Sequence, residues 1–174
     1  MDDQFVLFQI CRIIPSGADV DLQCPADILL QSVGDFYPAD VIICGMGGEL
    51  IADIIAGCRF LTEDTRFILQ PMTKAEILRR RLYEDGFEIL EERTAYDGKR
   101  AYTVIHAAYT GDRREVDEIF ALTGKVTDPG FLQRTAEKLL KNASRMDNSD
   151  NFTEEAAKLR NMAEEILRKA EMLS

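Results

Sequence analysis

Short apolar runs alternate along the first two thirds of the chain with segments whose apolar residues recur every three or four positions. The runs at 41–44 and 67–69 have the length and β-branched content of buried strands. Between and after them, the three-and-four spacing predicts helices over about 26–33, 49–56 and 74–85, the last ended by Gly86 beyond its C-cap. Two further strands, 87–93 and 101–108, flank Asp97-Gly98 and form an antiparallel hairpin expected to close one side of the sheet. Phe5–Ile10 is another run of strand type. Strands alternating with helices imply an α/β fold with a largely parallel sheet.

Beyond Gly111 the helical period takes over. A linking helix near 114–122 leads through Thr127-Asp128-Pro129 into two long helices. Leu132, Ala136, Leu139, Ala143 and Met146 line one seam; Phe152, Ala156, Leu159, Ala163, Ile166, Ala170 and Leu173 line the other. The polar stretch Asp147-Asn148-Ser149-Asp150-Asn151 lies between them, so the pair is expected to fold back as an antiparallel, coiled-coil-like helical hairpin. The expected division is an α/β domain over 1–110 and a helical hairpin over 111–174.

A hydrophobic content of 46% over 174 residues is enough for a substantial core. No run reaches the roughly 18 apolar residues of a membrane span, and Met1-Asp2-Asp3 lacks the basic start of a secretory signal, so a cytoplasmic protein without a membrane partner is expected. Cys11, Cys24, Cys44 and Cys58 form no C-x-x-C pair, and the single His106 would have to complete any zinc site. They read as reduced thiols, and no metal site is expected.

The net charge of −10 opposes a polyanionic partner, but its distribution is uneven. Residues 1–72 hold three basic and eleven acidic side chains, 73–114 nine and eight, and 115–174 nine and twelve. In the middle segment Lys74, Arg79, Arg80 and Arg81 lie on one predicted helix, and Lys99 and Arg100 follow the hairpin turn. These cations suit either a nucleic-acid contact or a solvated face interleaved with Glu76, Glu84 and Asp85.

The densest signal is Asp40-Val41-Ile42-Ile43-Cys44 running into Gly45-Met46-Gly47-Gly48 and on to Glu49-Leu50-Ile51. Glycines there permit a close backbone approach to a ligand, and the helix that follows presents free N–H groups. Together with Leu69-Gln70-Pro71, Ile77-Leu78-Arg79, Leu82, Glu92, Asp97-Gly98-Lys99 and Tyr102, in that order, the run resembles the TrmK family of bacterial tRNA (adenine-N1) methyltransferases over about residues 35–174.

That resemblance implies a truncated Rossmann-like, class I methyltransferase sheet with a helical tail, S-adenosylmethionine as cofactor and tRNA as partner. It places Cys44, Gly45 and Met46 beside the cofactor. Gly45, Met46, Gly47 and Gly48 would border the transfer site, with Gln70 and Pro71 lining the base side. Lys74, Arg79, Arg80, Arg81, Lys99 and Arg100 would be the RNA contacts. The family's usual Ala and Asn are replaced here by Cys44 and Met72, and neither Asp40 nor Glu49 is an obvious proton acceptor.

The family's glycine-rich turn after the first strand is not found before residue 40, as though the first βα units were lost. The strand at 41–44 would then be an open apolar edge, to be covered by Phe5–Ile10 or by a second copy of the chain. Three functions stay open: a tRNA methyltransferase, a non-catalytic fragment serving as an RNA- or protein-binding scaffold, and a small dinucleotide-binding domain built on 40–48.

Overall fold

The computed structural model describes residues 5–8, 40–58, 61–62, 65–98, 100–146 and 153–174. The helix expected over 26–33, the polar turn at 147–151, Phe152, Cys11 and Cys24 lie outside them. Strand β1 (Phe5–Phe8) is followed by β2 (Asp40–Gly47), α1 (Gly48–Ala56), β3 (Arg66–Thr73) and α2 (Ala75–Glu84). Then come β4 (Phe87–Asp97), β5 (Arg100–Tyr109), α3 (Glu118–Thr123), α4 (Pro129–Met146) and α5 (Thr153–Met172). The sheet order is β1-β2-β3-β5-β4. Its first three strands are parallel, and the β4–β5 hairpin closes it in the antiparallel sense.

β1 settles which cover the 41–44 edge receives. Phe5 to Phe8 pair in parallel register with Asp40 to Ile43, so β2 lies between two strands. The expected bare edge for pairing with a second copy is therefore not at 41–44, because β1 has taken its backbone hydrogen bonds.

Alternation sets the core. Val41 and Ile43, Phe67 and Leu69, Phe87 and Ile89, and Ile105 and Ala107 are buried. They share one cluster with Ile51, Ile54 and Ile55 of α1 and Leu78 and Leu82 of α2. Each fully buried aliphatic or aromatic side chain contributes about 1.5–3 kcal/mol relative to exposure. Gly86, with φ +87°, ends α2 in the left-handed region that glycine tolerates best.

The second cluster joins Leu132, Ala136 and Leu139 of α4 to Ala163, Ile166 and Ala170 of α5, with Ile119 and Leu122 of α3 packed against it. Two anchors fix this hairpin to the sheet. In the first, buried Arg79 donates from Nε to Glu92 (2.8 Å) and from Nη1 to the carbonyls of Ala121 (2.7 Å) and Leu122 (3.1 Å). The other Glu92 oxygen accepts from the Lys125 backbone N–H (2.8 Å). In the second, Asp128 caps α4 through the Phe131 N–H (3.1 Å) and accepts from the hydroxyls of Thr94 (2.6 Å) and Tyr96 (2.7 Å) on β4. Pro129 then occupies the first helical position, where its missing N–H costs nothing. Among the described residues no helix is long and apolar enough to cross a membrane.

Candidate functional site

The expected loops at 44–48 and 69–72 are strand ends. β2 continues to Gly47 and β3 to Thr73, since each supplies backbone partners to the other: Cys44 faces Gln70, Met46 faces Pro71 and Gly47 faces Thr73, with register shifts on both sides of Met46. The irregular pairing bends β2 where it meets α1. Ligands of open α/β sheets bind beyond the carboxyl ends of parallel strands, and this is such an end.

Gly45 carries the bend. Its φ is +82°, and no atom lies within 4 Å of where a Cβ would stand, so glycine is required by conformation and leaves open space. Its N–H donates to the Gln70 side-chain oxygen (3.1 Å). The Gln70 amide nitrogen in turn donates to the Pro71 carbonyl (3.3 Å) and reaches the Met72 sulfur (3.6 Å). Two motifs 25 residues apart are thereby tied side by side.

Gly48 is required for a different reason. A Cβ there would stand 2.2 Å from the Lys74 carbonyl oxygen, so the start of α1 is pressed against the start of α2. Gly47 is the N-cap of α1 and offers no side-chain acceptor, which leaves first-turn N–H groups at the site. Glu49 sits in that turn and pairs with Lys74, matching a role at the helix start. Asp40 opens β2 and lies about 23 Å from Gly47 at ~3.3 Å per residue, too far to serve the site.

Cys44 is half-buried; burial raises its thiol above the ordinary value while the Gln70 backbone opposes the shift. Met46 packs against the main core, so it plugs the bend. Pro71 is buried and Met72 is 44% exposed. Cys44, Gly45, Met46, Gln70 and Pro71 thus lie together at the paired ends of β2 and β3. His106 is half-buried within β5, in register with Ile68 and Glu91, away from this strand end.

The basic segment does not form one patch. Arg79 is 1% exposed and held by Glu92, so the expectation that it meets RNA as a surface cation is corrected: its face of α2 is the one carrying Leu82 and Tyr83 inward. Arg81 pairs with Asp53 and Asp85, Arg80 is half-buried and Arg100 exposed, while Lys99 lies outside the described residues. Sequence reasoning missed a cavity of about 280 Å³ between the start of α2, the hairpin and α4, which holds Lys74 and Arg79 together with Arg134 and Lys138. The signal available was the four-residue spacing of Arg134 and Lys138 on the polar face of α4.

A family model described as a methyltransferase domain matches residues 27–105. The tRNA (adenine(22)-N(1))-methyltransferase of Bacillus subtilis (strain 168) is 36% identical over 98 residues, which are 55% of this chain and 41% of that protein. Among solved structures, the B. subtilis M1A22 tRNA methyltransferase TrmK superposes with a TM-score of 0.62 at 23% identity, covering 83% of this chain and 66% of that one. The M. capricolum TrmK, solved with the natural cofactor product S-adenosyl-homocysteine, gives 0.61 at 16% identity over the same shares. The chain thus spans about two fifths of the curated relative and two thirds of the solved ones. The fold shared with these structures is a Rossmann-like α/β sheet.

Proposed function

We propose, proceeding from a chain that is TrmK-like in sequence and in fold, that it takes part in methyl transfer from S-adenosylmethionine to N1 of an adenine in tRNA. The observation that carries the reading is the Gly45 to Gln70 hydrogen bond, which joins the family's two motifs into one surface at the ends of β2 and β3.

The residues present fit one wall of such a cofactor. Gly45 leaves open space where other residues would place a Cβ, and the α1 N–H groups beside it lack a side-chain cap. Cys44, Gly45 and Met46 would border the cofactor. When bound, it supplies an electrophilic methyl group on a sulfonium. Adenine N1 has a lone pair available without losing a proton, and the positive charge moves from sulfur to the base, so alignment and exclusion of water matter more than a base. Gln70, held by the Gly45 N–H, would fix the base side together with Pro71; Gly47 and Gly48 keep that wall close to α1.

tRNA is the partner in this reading, with Lys74, Arg80, Arg81, Lys99 and Arg100 as outer contacts, and the cytoplasm is where the two would meet. We divide the chain at about residue 110 into the methyltransferase part and the hairpin. A homodimer would have to form through the outer edge of β1, since β2 is paired.

Isothermal titration of the purified chain with S-adenosylmethionine and with S-adenosylhomocysteine tests the reading, followed by methylation of tRNA. Micromolar binding of both and methylated adenine are expected. No heat at millimolar ligand would leave a non-catalytic scaffold that keeps the fold.

A further inference from the structure

Arg79 has three nitrogens and uses two. Nε and Nη1 are engaged by Glu92 and two carbonyls, whereas Nη2 is buried with no hydrogen-bond partner. Buried guanidinium donors without acceptors are costly, and such a group in a native fold points to a missing partner. Arg79 belongs to the wall of the 280 Å³ cavity, with Lys74, Tyr102, Arg134 and Lys138 around it. Lys74, Arg134 and Lys138 are exposed, with the Arg134 guanidinium 5.0 Å over the Tyr96 ring, while Arg79 is buried. Glu76 is the one carboxylate of this lining.

We infer that this cavity is a phosphate site, and that it holds a phosphodiester of the RNA strand whose adenine lies against Gln70 and Pro71. This rests on the function proposed above. The lining sets Lys74, Arg79, Arg134 and Lys138 against Glu76, and with Glu49 paired to Lys74 and Glu92 to Arg79 the local balance is still positive in a chain of net charge −10, which favours an anion at this place. Guanidinium donors match phosphate oxygens in geometry, and Lys74 and Lys138 add point charges. The first turn of α2, entered from Lys74 in a left-handed conformation with no side-chain cap, adds backbone N–H groups at the same wall. The exposed Lys74–Glu49 pair is worth little and yields readily to a phosphate. The cavity is smaller than the roughly 300–1,000 Å³ of ordinary ligand pockets, suiting a sugar-phosphate link better than a whole cofactor. Pro71 and Met72 also line it, so the strand would pass from the base side of the transfer site straight into it.

The test uses the full chain, without S-adenosylmethionine, and a fluorescein-labelled 12-nucleotide single-stranded RNA followed by anisotropy across a salt series. Lys138→Ala is expected to weaken binding five- to tenfold and to flatten the slope of log K against log salt by about 0.7, the share of one phosphate contact on a single strand. Lys158→Ala, on α5 and outside the cavity, is expected to change neither. Equal effects of the two variants, or none from Lys138→Ala, would overturn the inference. In the unsubstituted protein the Arg79 Nε–H resonance should shift with the RNA and with adenosine 5′-monophosphate but not with adenosine. A shift with adenosine alone would count against a phosphate. If the monophosphate binds as tightly as the 12-mer, the site serves a free nucleotide and the RNA assignment fails. Loss of cofactor binding in the separate titration would leave these readouts intact, so the two readings fail independently.

Discussion

The Arg79–Glu92 pair offers the sharpest test of how the hairpin is held. Both side chains are buried, and between them they satisfy two carbonyls of α3 and the backbone N–H of Lys125. Removing one partner strands a buried charge, which costs about 3–5 kcal/mol. At about 2–4 °C per kcal/mol for a chain of this size, Arg79→Met or Glu92→Leu should lower Tm by roughly 6–20 °C. The double variant removes both charges but orphans the carbonyls and the Lys125 N–H, at about 1–3 kcal/mol each. It should therefore stay destabilised, yet by less than the sum of the single costs. The chain has no tryptophan, so urea unfolding is best followed by far-UV circular dichroism. Single substitutions costing less than about 1 kcal/mol, or a double variant equal to the sum, would refute the coupling.

Three further outcomes follow from other contacts. Gly48→Ala places a methyl 2.2 Å from the Lys74 carbonyl, and overpacking of this kind costs about 1–3 kcal/mol or more, measured by urea midpoint; Gly47→Ala, 3.4 Å from the Thr73 hydroxyl, should cost less. Burial pushes the Cys58 thiol up to about 11, so in native protein at pH 8 mass mapping after iodoacetamide should find Cys58 unmodified and Cys44 slowly modified. The unfolded thiol ionises first, so Cys58 favours folding below its unfolded value near 9 and loses that contribution as pH rises towards 11. Hydroxyl donation from Thr94 and then Tyr96 holds the Asp128 carboxyl below its usual range, so its contribution is present above the ordinary aspartate value and lost as pH falls through the lowered one. Asp128→Ala should cost about 1–2 kcal/mol at pH 7 and show a flatter acid limb in thermal melts.

The order of elements was legible because periodicity switches cleanly from two to three-and-four, and the hairpin turn at Asp97-Gly98 was marked by its residues. Element ends were less so. β2 and β3 each run past their apolar cores into the glycines and Pro71, because paired backbones carry a strand further than side-chain hydrophobicity shows. α3 starts only at Glu118 because Asp117 caps it at Phe120, four residues later than the apolar pattern suggests. The burial of Arg79 was hidden for a related reason. Strict alternation from Phe87 and Ile89 would turn residue 91 inward, but the register shift between Ile89 and Glu91 turns Glu92 inward instead. A bulge leaves no mark in the hydrophobic pattern, so the buried acid, and with it the partner that draws Arg79 inside, could not be read from sequence. The same limit applies to Gly124, where a Cβ would stand 1.7 Å from the Glu92 carboxylate.

Both anchors of the hairpin fall within a few residues of one another, Lys125 on the first and Asp128 on the second, with buried Val126 between them. α4 therefore leaves the sheet from a base fixed by a buried ion pair on one side and by three hydrogen-bond donors to a carboxylate on the other. Phe131, Arg134, Thr135 and Lys138 follow within the first three turns of that helix, and these are its contributions to the cavity. Their positions are set before any ligand arrives, so binding there need not order the helix, only the ends of a few long side chains. Ordering such a side chain costs about 0.5–1.5 kcal/mol, far less than folding a segment onto the ligand. The anchors thus place the cationic wall of α4 at a fixed distance from Pro71, and the spacing between the proposed base side and the proposed phosphate site becomes a property of the fold.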